Sequence, residues 1–105
     1  MKKRVGRTYL IYRITNKITN EFYIGVTYCF KRQIKKSLKR RWRGHIYRAT
    51  IENSYLKLSC NIRQYGQDNF TIVLEEKVIG KTKAHSRELQ IIKILKPTFN
   101  HKGCK

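Results

Sequence analysis

Arg41 and His45 stand four residues apart in "RRWRGH", so on a helix they share one face. An arginine can clamp a transition-state phosphate through its rigid fork of donors. A histidine beside it can orient a water or move a proton. Glu88 is one of only six acids in a chain with 25 Lys and Arg, and it sits in a mostly apolar stretch. A lone carboxylate near phosphates suits one Mg²⁺ that keeps several waters. Asn100 follows at the end of "PTFN", and two tyrosines, Tyr12 in "LIY" and Tyr23 in "YIG", lie in apolar settings. Together these residue types could act on a phosphodiester. Taken singly each has a plainer reading. Aromatic cross-strand pairs stabilise any hairpin, Gly25 could mark a bulge, Glu88 could pair with Arg87 or Lys83, and Asn100 could form a turn.

The elements that must carry these residues follow from periodicity. "TYLIYRIT" is rich in β-branched and aromatic residues and reads as a strand, "NKITN" as a turn, and "EFYIGVT" as the partner strand. With the turn centred on Lys17 and Ile18, Tyr12 lies opposite Tyr23. Alternation then puts Leu10, Tyr12, Ile14, Tyr23 and Gly25 on one face. Ile11, Phe22, Ile24 and Val26 share the other, which is expected to be the better core face. From about Gln33 to Ala49, Ile34, Leu38, Trp42, Ile46 and Ala49 recur at helical spacing. A second helix is expected to be capped by Asn53 or Ser54, to turn Leu56, Cys60 and Ile62 inward, and to end at Gly66. "NFTIVLEEKVI" reads as a third strand and "AHSRELQIIKILK" as a last helix closed by Pro97. The order β-β-α-α-β-α predicts an α+β domain: a small three-stranded antiparallel sheet flanked by helices, spanning residues 1–105 as one unit.

Composition names the partner. The 105 residues carry a formal net charge of +19, while 40% are hydrophobic, so a folded but self-repelling domain is expected. Clustered Lys and Arg neutralise phosphates and release counterions, which points to nucleic acid. An anionic membrane would call for a long basic amphipathic helix or an anchor, and no segment approaches the ~18 apolar residues of a span. The start lacks the apolar run of a signal peptide. Three cysteines, far apart and odd in number, show neither metal-ligand spacing nor a disulfide framework, so an intracellular, reducing compartment is expected. Lys35, Lys36, Lys39, Arg40 and Arg43 form a strip suited to tracking a phosphate backbone. Trp42 is expected in the core rather than as a base-stacking platform.

The ordered set "LIYRITN…FYIGVT", "SLKRRWRGH", "IRQYGQDNFTIVLEE" and "RELQIIKILKPTFN" resembles the GIY-YIG nucleases over roughly residues 8 to 100. The resemblance implies hydrolysis of DNA phosphodiesters with one divalent ion, Mg²⁺ or Mn²⁺, and no small-molecule cofactor. It implies that Tyr12 and Tyr23 flank the attacking water and the scissile phosphate, one of them as general base. It gives Gly25 the role of keeping that surface open and Arg41 that of holding the phosphate. His45 matches a histidine of many members, Glu88 the metal-binding glutamate, and Asn100 an asparagine often nearby. The chain departs from the pattern twice. Leu10 replaces the first motif glycine, and the register above sets it opposite Gly25, narrowing the active face. "YCFKRQIKK" reads as an insertion, so Arg32, closer to Gly25, rivals Arg41, although His45 at the right interval favours Arg41. Two other classes stand beside the nuclease: a silent nucleic-acid-binding module that kept the fold, and a structural basic protein. Monomer and homodimer both stay open. The Lys, Ile and Tyr content leans towards an A·T-rich genome, that of a virus or a mobile element.

Overall fold

A computed structural model describes residues 6–100. The elements run β1 (Thr8–Asn16), β2 (Phe22–Tyr28), α1 (Ile34–Thr50), α2 (Lys57–Tyr65), β3 (Phe70–Ile79) and α3 (Lys81–Leu95), in the expected order. The three strands form one antiparallel sheet, β2-β1-β3, with β1 in the middle.

A central strand is buried on both faces, and β1 shows it: Leu10, Ile11, Tyr12 and Ile14 are all fully buried. Alternation sends Leu10, Tyr12 and Ile14 to one side, where they meet Leu38 and Ala49 of α1, Leu58 and Ile62 of α2, Phe70 and Phe99. Ile11 goes to the other side and joins Ile24 and Ile91 of α3. The sheet is therefore sandwiched between α1/α2 and α3. The larger core lies on the tyrosine face, contrary to the expectation that Ile11 and Ile24 would define it. Trp42 packs against this core, its ring 5.8 Å from that of Phe70.

The register differs from the expected one by two residues. Tyr12 pairs with Gly25, Ile14 with Tyr23, and Leu10 with Thr27. The cause is the turn. The Asn16 side-chain oxygen accepts the N–H groups of Ile18 (2.8 Å) and Thr19 (3.3 Å), and the Asn20 N–H returns to the Asn16 carbonyl (2.8 Å). Asn20 takes a positive φ of 65°. This centres the loop on Ile18 and Thr19. An even shift leaves every side chain on its expected face, so the grouping of Tyr12, Tyr23 and Gly25 survives while their pairing changes. Leu10 does not face Gly25. It is a core residue opposite Thr27.

The second helix begins later than expected. Leu56 is its N-cap, and neither Asn53 nor Ser54 caps it. Its buried residues are Leu58, Ser59 and Ile62, not Leu56 and Cys60. Gly66 does close it, at φ +87°, donating its N–H to the Ile62 carbonyl. Cys29 is a buried free thiol, and Cys104 lies outside the described residues. Among the described residues no helix is long and apolar enough to cross a membrane.

Candidate active site

The site is built around Tyr12. Its ring lies over Gly25 of the neighbouring strand, and a Cβ there would come within 2.5 Å of the Tyr12 Cζ and Oη and 2.8 Å of the Tyr23 Cε2. Only a glycine leaves that space. Helix α1, docked across the same face through Leu38 and Ala49, brings Arg41 and His45 down onto the tyrosine. Arg41 Nε donates to Tyr12 Oη at 3.1 Å, and Tyr12 Oη is 2.8 Å from His45 Nε2. An arginine N–H can only donate, so the tyrosine oxygen accepts from Arg41. No buried polar side-chain atom lacks a partner among the described residues. Burial and the facing arginines keep His45 a neutral imidazole, and in the tautomer with its proton on Nδ1 its Nε2 accepts the Tyr12 O–H. Tyr23 completes the cluster, with ring centres 6.2 Å from Tyr12 and 5.3 Å from His45.

The electrostatics follow from this burial. Desolvation, then the Tyr23 hydroxyl, pushes Tyr12 well above the ordinary phenol range, against the pull of Arg41. Desolvation also raises Tyr23, with Arg41 opposing it. Burial works against the charge on Arg41, but its bond to Tyr12 and the fields of Tyr12, Tyr23 and Glu88 outweigh this and raise it. His45 is pushed down to about 3 by burial and by the charges of Arg41 and Arg48. Glu88 of α3 is raised by desolvation, against the opposing pull of His85 and Arg41. Its side chain is 17% exposed, and its oxygen lies 3.7 Å from His85 Nδ1.

His45 carries a testable consequence. An unfolded histidine takes up a proton near 6.5, the folded one near 3. Between these values the unfolded chain binds more protons, so stability falls as pH drops through that window. At one pKa unit per ~1.4 kcal/mol, roughly 2–3 kcal/mol should be gone by about pH 4.5. The raised Glu88 works the other way, so the comparison is with His45→Gln, which keeps an acceptor for Tyr12 but does not titrate. Thermal unfolding at neutral and acid pH should show the larger loss in the wild-type chain. Parallel losses in both chains would mean that His45 is not held neutral.

Of the expected site residues, Tyr12, Tyr23, Gly25, Arg41 and His45 meet directly. Glu88 reaches Tyr12, Tyr23 and Arg41 through its field. Asn100 holds an edge instead. Its amide nitrogen donates to the Ile24 carbonyl (2.8 Å) and its oxygen accepts the Ile24 N–H (2.9 Å), as a neighbouring strand would. It thus fixes β2 between Tyr23 and Gly25. Arg32 is not brought to Tyr12. It lines a small cavity with Thr8, Cys29, Ile34 and Lys77. Lys35, Lys36, Lys39, Arg40 and Arg43 are exposed along α1. Arg48 was missed by sequence reasoning. It lines a cavity with Tyr23, His45 and Asn100, and its charge acts on both Tyr23 and His45. The signal was present in the spacing, since Arg41, His45 and Arg48 fall at i, i+4 and i+7 on one helix face.

The donor set suits a hard cation at one place. Glu88 is a partly buried carboxylate whose burial disfavours its charge, so a cation beside it would relieve that cost. Among the described residues no three of His, Cys, Asp and Glu gather to form an all-protein cage. One carboxylate, with water and phosphate oxygens as the other ligands, is the arrangement Mg²⁺ tolerates best.

Known proteins share this architecture. The solved catalytic domain of the homing endonuclease I-TevI superposes with a TM-score of 0.65 at 24% identity, covering 97% of this chain and 99% of that one. A mutant of the catalytic domain of the intron endonuclease I-TevI superposes with a TM-score of 0.67 at 23% identity, covering 91% and 92%. No curated protein matches. The model of the GIY-YIG catalytic domain matches residues 8–102, the stretch that holds every residue of the cluster. With that match over nearly its whole length, the chain belongs to the GIY-YIG family.

Proposed function

We propose that the chain is a DNA endonuclease that hydrolyses phosphodiesters with one divalent cation. The carrying observation is the Tyr12 hydroxyl held between a fixed arginine donor and a neutral histidine acceptor. The Tyr12 hydroxyl is closed to solvent in the free chain; once docked DNA opens a path to it, Tyr12 accepts a proton from the attacking water as its own passes to His45 Nε2, so the phenol never becomes a free phenolate. A resting His45 is a poor base first because it is buried and then because Arg41 and Arg48 face it. A DNA phosphate on those two arginines offsets their charge and removes that second part of the penalty. Arg41 holds the phosphate and stabilises the charge that develops on it. Tyr23 lines the other side of the water's position, Gly25 keeps the face open, and Asn100 fixes β2. Glu88 would hold the Mg²⁺ or Mn²⁺, which supplies charge stabilisation at the leaving oxygen. Lys35, Lys36, Lys39, Arg40 and Arg43 track the phosphate backbone.

In this reading the chain is one catalytic unit. A single site nicks one strand, so a double-strand break needs two copies or two visits. Origin in a mobile element fits both the composition and the homing and intron endonuclease names of the similar structures. The rival reading, a silent binding module, gains nothing from Leu10, which faces Thr27 in the core.

Incubation with supercoiled plasmid separates the two. With Mg²⁺ or Mn²⁺ nicked circles should accumulate, and with EDTA the plasmid should be bound but uncut. Binding without metal-dependent nicking would overturn the nuclease reading.

A further inference from the structure

Of the segment that reads as an insertion, residues 28–36, Tyr28 ends β2 and Ile34, Lys35 and Lys36 begin α1. Between them Phe30–Arg32 fold as a 3-10 turn that has no part in the chemistry above. Lys31 and Arg32 sit at φ of 47° and 60°, a left-handed conformation that side-chain-bearing residues adopt only when their surroundings impose it. The surroundings here are specific. The buried Ser37 hydroxyl accepts the Phe30 N–H at 2.9 Å, and the Gln33 N–H donates to the Phe30 carbonyl at 2.9 Å.

This strained turn holds a phenylalanine ring out of the core. Phe30 is 44% exposed. It borders a groove of about 400 Å³ whose other walls include Ser37, Lys36, Lys39, Arg40 and Arg43. An adjoining cavity of about 310 Å³ shares Phe30, Ser37 and Arg40 with it and reaches Arg41. A continuous path thus runs from the arginine on Tyr12 to the exposed ring. Each cavity falls in the range of small-ligand pockets, roughly 300–1,000 Å³. The four cations of the groove are exposed and enter no ion pair among the described residues. Cationic grooves with an aromatic platform are how proteins hold single-stranded nucleic acid: the cations track phosphates and the ring stacks on a base. Intact duplex offers no free base face to such a ring.

We propose that this groove seats an unpaired nucleotide beside the scissile phosphate, with Phe30 stacked on its base. DNA carrying a single-stranded arm at the cut site is then the preferred substrate class. The assignment of the scissile phosphate to Arg41 rests on the nuclease reading above; the stacking itself does not.

The test uses the full chain in EDTA, where nothing is cut. A forked duplex with 2-aminopurine at the first unpaired position is compared with a fully paired duplex of equal length at fixed salt. The wild-type chain should bind the fork more tightly and change the 2-aminopurine emission. Phe30→Ala should weaken fork binding about tenfold, shift duplex binding less than twofold, and abolish the emission change. Phe30→Trp should restore both the fork affinity and the emission change. Equal wild-type affinity for fork and duplex, equal weakening of both by Phe30→Ala, or an emission change that survives Phe30→Ala would each overturn the proposal. Plasmid nicking is read separately. A chain that prefers forks but never nicks would sink only the nuclease reading, and one that nicks without fork preference only this proposal.

Discussion

Replacing Glu88 by glutamine is expected to lower metal-dependent cleavage by about a thousandfold while leaving DNA binding intact or slightly tighter. Glu88 is the acid whose field reaches Tyr12, Tyr23 and Arg41 together. Glu75 and Glu76 are engaged by Arg13 and Arg87. Glu88 is also the one described carboxylate among the main influences on Tyr12, Tyr23 and Arg41, so no other is placed to take over the cation. Loss of the cation removes several kcal/mol of transition-state charge stabilisation, and each ~1.4 kcal/mol is tenfold in rate. Binding responds in the opposite sense. Phosphates are attracted by a chain with a net charge of +19, and removing one negative charge strengthens that attraction. Stability should not suffer either, because burial already disfavours the ionised Glu88. Single-turnover cleavage, anisotropy in EDTA and thermal unfolding read the three effects independently. A Glu88→Gln chain that cuts at the wild-type rate would remove the metal assignment altogether.

Gly25→Ala is expected to cost about 1–3 kcal/mol of stability and at least a hundredfold in cleavage. The added Cβ would sit 2.5 Å from Tyr12 Cζ and Oη, where carbon contacts settle at roughly 3.5–4.0 Å. Tyr12 has nowhere to retreat. It is fully buried, and its hydroxyl is tied to both Arg41 and His45. Overpacking of this kind typically costs ~1–3 kcal/mol, and a displacement of about 1 Å at a reacting group can cost about a hundredfold in rate. Gly44→Ala is the matched control, since a Cβ there meets nothing within 4 Å. If Gly25→Ala cuts and melts like the Gly44→Ala chain, the Tyr12 hydroxyl is not the reacting group.

Much of the fold was legible because it is written in local periodicity. Alternation marked β1 and β2, and helical spacing marked α1 with Arg41 and His45 on one face. The long apolar stretch ending at Pro97 marked α3. These patterns depend on neighbours within a few residues, which a linear reading can see. The face shared by Tyr12, Tyr23 and Gly25 was also recoverable, because a two-residue slip in register does not move a side chain across the sheet.

What the linear reading could not reach depends on partners far along the chain. The true register follows from a turn centred on Asn16, whose side chain also donates to Asn61, 45 residues away. Asn100 serves as a stand-in strand for Ile24 across 76 residues. Arg41 rather than Arg32 meets Tyr12 because α1 packs its Leu38 and Ala49 side onto the sheet, while a strained turn carries Arg32 elsewhere. Residue types and helical spacing determined which groups were available for chemistry. Burial by the packed helices decided the rest: it holds His45 neutral, lifts Tyr12 and Glu88, and makes one glycine irreplaceable.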